Sequence, residues 1–115
     1  MTTPADELRT AAAKLRRLAD AATPGPWQQT GIGDYGWTVS FSRPGVGVEA
    51  EDSDQGRVDA NYIAAMHPGV GAEIVKWLDI ATEYAERWQP DAQTNSPFRL
   101  GALAVARAIN GGEQR

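Results

Sequence analysis

The chain has 115 residues, a formal net charge of −4 and no cysteine. That length suits one domain, expected to span residues 1–115, and the missing thiols exclude disulfides, thiolate metal sites and a cysteine nucleophile. An acidic chain repels a phosphate backbone on average, so generic nucleic-acid binding is disfavoured. Met1 to Glu7 carries no basic segment leading into an apolar one, and the longest apolar run, Gly101 to Ala106, is far short of the roughly 20 residues of a membrane helix. The expectation is a soluble protein of a reducing cytoplasm.

Thr3-Pro4-Ala5-Asp6 reads as a helix start: Thr3 caps, Pro4 takes the first helical position and Asp6 supplies the acid of a capping box. Leu8, Ala11, Ala12, Leu15, Leu18, Ala19 and Ala22 mark one face of the helix. Arg9, Lys14, Arg16 and Arg17 form a solvated opposite face. Thr23-Pro24-Gly25-Pro26-Trp27 ends it. Tyr35, Trp37, Val39 and Phe41 then alternate with Gly36, Thr38 and Ser40, as in a half-buried strand. Pro44-Gly45 is placed for a type II turn, and Val46, Val48 and Ala50 alternate again, with Glu49 and Glu51 outward. Residues 35–50 are therefore a predicted hairpin, with Trp27 to Ile32 as a weaker third strand. Such a hairpin needs helices to lie on.

Glu51 to Gly56 reads as an acidic loop and residues 58–66 as a short helix started by Arg57 or Asp59, with a break at His67-Pro68-Gly69. A longer helix is predicted over 70–88, its stripe formed by Ile74, Trp77, Leu78, Ala81, Ala85 and Trp88. Pro90 to Ser96 reads as a polar loop. Ser96-Pro97 opens a last helix, closed by Asn110-Gly111-Gly112. Phe98, Leu100, Leu103, Val105 and Ile109 surround most of that helix, which points to a core position or, as the favoured reading, a homodimer contact through residues 97–110. The fold class is α+β: an N-terminal helix, a small antiparallel sheet of two or three strands, then three helices (α-ββ(β)-ααα).

Motifs for chemistry are sparse. Gly31-Ile32-Gly33-Asp34-Tyr35-Gly36 matches G-x-G-x-x-G, but a dinucleotide site needs a helix after it and here a strand follows, so it reads as a turn. Pro68-Gly69-Val70-Gly71 opens a helix without the lysine of a phosphate loop. Asp52, Asp54 and Gly56 fail the calcium-loop spacing. His67 is the sole histidine and has no metal-ligand companion. No catalytic residues, metal site or cofactor are expected, and the protein reads as a non-enzyme. Ala65, Gly69, Val70, Val75 and Leu78 fit a helix-turn-helix core, yet the second helix carries Glu73, Asp79 and Glu83, which suits DNA poorly. Trp77 and Trp88 belong to the helix stripe and Trp37 to the strand's apolar face. Trp27 reads first as a satisfied core or hinge tryptophan; the alternative is an edge position beside Arg43 or Arg57, where a base or a peptide aromatic could stack on it.

Ala22-Thr23-Pro24-Gly25-Pro26-Trp27 and Asp59-Ala60-Asn61-Tyr62-Ile63-Ala64-Ala65-Met66-His67-Pro68 together resemble the Ead-type family of small phage and prophage proteins. That family joins an N-terminal helix, a T-P-G-x-W turn, a short sheet and a D/N-A-x-(F/Y/L)-I-A-A-x-x-P segment leading into a helix. The likeness covers roughly residues 8–88 and leaves out the last helix. It implies an accessory protein, acting in the bacterial host's cytoplasm on host functions, and brings no catalytic residues with it.

The expected function is to bind and block or modulate a host component, as a counter-defence factor that masks a host protein. One alternative is a sponge for a small anionic, cyclic nucleotide-type signal, held by Trp27, Arg43, Arg57 and Asn61. A second is a helix-turn-helix-like transcriptional regulator using residues 58–88. A pocket lined by arginine and tryptophan favours the sponge, and an exposed apolar patch favours masking.

Overall fold

The computed structural model describes residues 3–87 and 97–111, with side chains from Leu100 onward in the second stretch. The order is α1 (Pro4–Ala21), β1 (Gln28–Ile32), β2 (Gly36–Ser40), β3 (Gly47–Glu51), α2 (Asp54–Ala65), α3 (Pro68–Arg87) and α4 (Pro97–Gly111), an α+β arrangement. Trp88, the Pro90–Ser96 loop and the Phe98 side chain lie outside the described residues. The chain divides into two compact units: Met1–Leu18 with Ala72–Arg115, the helical unit, and Ala19–Gly71, the sheet unit.

In the helical unit the capping box forms as the sequence dictates. Asp6 N–H donates to Thr3 Oγ1 at 3.1 Å and Thr3 N–H donates to Asp6 Oδ2 at 3.2 Å, so two donors that the helix leaves open are satisfied reciprocally. The Thr3 backbone amide most of all, then the Thr3 hydroxyl and Arg9, hold the Asp6 carboxyl below its ordinary value. Leu8, Ala11 and Ala12 of α1, Leu78 and Ala81 of α3, and Ala102, Leu103 and Ala106 of α4 form one buried cluster, with Ile74, Trp77, Ala85, Val105 and Ile109 packed against it. Five of the eight buried members are alanines, so the helices can approach closely around the few large side chains. Thr82, buried among them, donates its hydroxyl to the Leu78 carbonyl.

Several charges in this unit are paired. Glu7 receives a fork from Arg107, Nε to Oε1 at 2.7 Å and Nη2 to Oε2 at 3.1 Å, which holds the Glu7 carboxyl below its ordinary value. Arg9 pairs with Asp6 and Glu86, Arg16 with Asp79, and Lys76 with Glu73. Lys14 donates to the Ile109 carbonyl at 2.9 Å, one of the acceptors the end of α4 leaves free. The basic residues of α1 expected to be merely solvated thus include three, Arg9, Lys14 and Arg16, that tie helices together. Leu103 is only 6% exposed, so it belongs to this core, while Leu100 of α4 is exposed.

The sheet unit is an antiparallel meander in the order β1-β2-β3. Trp37 lies opposite Ala50, Val39 opposite Val48 and Gln29, and Ile32 opposite Trp37, so these side chains share one face. Val39 is fully buried there. Helix α2 covers this face, as the Gln29–Asn61 hydrogen bond records. The β2–β3 turn has Val46 N–H donating to the Arg43 carbonyl, with Pro44 and Gly45 between and Gly45 at φ 75°, the type II geometry.

Two sequence expectations change here. Tyr35 does not join the apolar face. Gly33 N–H donates to the Gly36 carbonyl, the chain turns over 33–36, and Tyr35 protrudes from that turn, 86% exposed. Helix α2 starts at Asp54, inside the expected loop, because Ser53 caps it: the Gly56 N–H donates to Ser53 Oγ at 3.0 Å. Gly56 lies against β3, where a Cβ would come within 1.7 Å of the Glu51 carbonyl oxygen.

Candidate functional site

The four residues singled out by sequence all fall in the sheet unit, with different surroundings. Trp27 stacks on Phe41 with ring centroids 4.2 Å apart and an interplanar angle of 19°, and its Nε1–H donates to the Thr23 carbonyl. One ring face and the only polar atom are therefore used in closing the approach to β1. The peptide bond before Pro26 is cis. Asn61 accepts from Gln29 Nε2 at 3.1 Å, joining α2 to β1. Arg43 and Arg57 are exposed, and neither side chain has a hydrogen bond or ion pair among the described residues. Arg43 sits in the β2–β3 turn and Arg57 in the first turns of α2, so β3 separates them; five strand residues span roughly 17 Å. Trp27 and Arg43 share one end of the hairpin and Arg57 marks the other.

The motif segments meet at His67. A Cβ on Gly25 would lie 2.7 Å from the His67 ring, and one on Gly69 equally close. His67 Nδ1 accepts from the Gly69 N–H, and the His67 carbonyl accepts from Val70 and Gly71. The amides at the start of α3 are thereby used locally and present no open anion cradle. Segment 31–36 is a strand, a turn and a strand. Among the described residues no group of three or more His, Asp or Glu side chains is placed to hold a metal ion, and no helix is long and apolar enough to cross a membrane.

Two surface features were missed from sequence. Val58 and Tyr62 of α2 and Met66, the residue that caps its C-terminus, stand four apart and are 51%, 67% and 43% exposed, whereas Gly56 and Ala60 of the same helix are buried. This spacing was legible, yet an apolar residue on a short helix reads by default as core. The second feature is charge. Residues 19–71 contain seven Asp and Glu against two Arg and no Lys, whereas the rest of the chain holds eight acidic and nine basic residues. All seven sheet-unit carboxylates are exposed. Every ion pair among the described residues belongs to the helical unit.

No family model, curated protein or solved structure matches the chain.

Proposed function

We propose that the protein is a non-enzymatic phage or prophage accessory protein that masks a host protein in the bacterial cytoplasm, and that the outer face of α2 makes the contact. The observation that carries this reading is an apolar stripe of Val58, Tyr62 and Met66 within a unit of seven exposed carboxylates that have no ion-pair partner among the described residues. An exposed apolar ridge marks a protein contact, and an acidic surround selects a partner whose own apolar patch is ringed by Lys and Arg.

The sponge reading has less support. Its arginines stand at opposite ends of the hairpin, one face of Trp27 is already stacked, and seven carboxylates oppose an anion. DNA binding through residues 58–88 is also disfavoured: Lys76 is spent on Glu73, beside Asp79, Glu83 and Glu86. A homodimer through α4 would not use Leu103, which is interior; among the described residues the exposed Leu100 is open to it.

The test is capture of the partner from host lysate, followed by titration with both proteins purified. Tyr62→Ala should weaken binding by about tenfold or more, as for a central aromatic anchor. Affinity should also fall as salt rises. A partner bound equally by wild type and Tyr62→Ala would exclude this face. A native mass a few hundred daltons above the polypeptide, lost on denaturation, would restore the sponge.

A further inference from the structure

The face of the sheet turned away from α2 holds an open concavity of about 610 Å³, lined by Tyr35, Thr38, Ser40, Gly45, Val46, Gly47, Val48 and Glu49. Its only charged lining residue is Glu49. That carboxylate is held in place: Oε1 accepts from the Tyr35 N–H at 2.9 Å and Oε2 from the Thr38 hydroxyl at 3.2 Å. Gly33 makes the seat possible, since a Cβ there would come within 2.1 Å of Glu49 Oε2 and 2.5 Å of Thr38 Oγ1. Each oxygen retains a lone pair, and no cation pairs with Glu49 among the described residues. The neighbouring hydroxyls are occupied with each other, Thr30 Oγ1 lying 2.8 Å from Ser40 Oγ. The charged acceptor of the concavity is the carboxylate, and the exposed Tyr35 ring is part of its lining.

We propose that this concavity is a binding site for a guanidinium group, taken up by the fixed Glu49 carboxylate with the ring of Tyr35 against its plane. A guanidinium offers a planar fork that matches two carboxylate oxygens, and it stacks on an aromatic face, which a compact ammonium does less well. Glu51, two residues along β3 on the same face, adds a second negative charge. Gly45 and Gly47 contribute no side chains to the floor, which leaves space for the chain that carries the group. The site lies across the sheet from the α2 stripe and stands whether or not that stripe binds a partner.

The experiment is an amide-resonance titration of the full chain with N-acetyl-arginine amide, with N-acetyl-lysine amide as the contrast. Saturable shifts concentrated at Tyr35, Thr38 and Glu49, with lysine weaker by about threefold or more, are expected. Glu49→Gln, and separately Tyr35→Ala, should each weaken the arginine probe by about fivefold or more. Tyr35 is exposed, so its replacement leaves the fold intact and decides the matter even if Glu49→Gln does not fold. An acetyl-Gly-Arg-Gly-amide peptide binding about tenfold tighter would assign the group to a polypeptide; equal affinity would assign it to a free small molecule. Shifts spread equally over Asp52, Asp54 and Asp59, or unchanged affinity in Tyr35→Ala, would overturn the proposal.

Discussion

The two units treat charge in opposite ways. In the helical unit Arg9, Arg16, Lys76 and Arg107 each meet a carboxylate, Lys14 meets a carbonyl, and acidic and basic residues are nearly balanced. In the sheet unit seven exposed carboxylates have no ion-pair partner among the described residues. Isolated surface ion pairs add little stability, so the difference matters less for folding than for what each unit offers an outside molecule. A net charge of −4 describes neither: one part is close to neutral, and the other carries nearly all the field that a partner meets.

The comparison breaks first at the helical core. Leu78→Ala removes a fully buried side chain and should cost about 2–5 kcal/mol in urea unfolding; a loss below about 1 kcal/mol would mean that α1, α3 and α4 do not share a core. In the sheet unit, Gly56→Ala gains helix propensity of about 1 kcal/mol yet drives a Cβ onto the Glu51 carbonyl. A net destabilisation of about 1–3 kcal/mol is expected, and a stabilised variant would contradict the close approach of α2 to β3. Thr3→Ala removes the cap of α1 and should cost about 0.5–2 kcal/mol, read from the thermal midpoint.

The smallest effect sharpens the charge contrast. The Glu7 carboxyl is held below its ordinary value by Arg107. A depressed acid stabilises the fold above its unfolded value, about 4.3, and that contribution is lost as pH falls through the lower folded value. Because Arg107 is largely exposed, the contribution should stay under about 1 kcal/mol. Urea midpoints of wild type and Glu7→Gln should therefore differ at pH 7 and converge at acid pH; a constant gap would remove the ion pair as the cause.

Local chemistry was the legible part of the fold. The Thr3–Asp6 box, the break at Pro24-Gly25-Pro26, the alternation of Trp37 and Val39 and the Pro44-Gly45 turn each depend on neighbours in sequence. The Ser53 cap was misread because polar neighbours on both sides gave it the look of a loop. The Glu49 seat was not legible at all, since it joins the β1–β2 turn to β3 and exists only once the register is fixed. Of the proposed site residues, Trp27 and Asn61 have partners within the fold, a role that sequence left open. The charge partition was present in the composition but needed the unit boundaries to be seen.

The glycine seat of His67 has a practical consequence. Gly25 and Gly69 both press on the ring, and the chain has no other histidine. The proton spectrum therefore contains one imidazole signal pair, and it comes from the joint where the T-P-G-P-W turn meets the start of α3. Without isotope enrichment, that pair reports whether the joint is closed in any variant, at any stage of a titration.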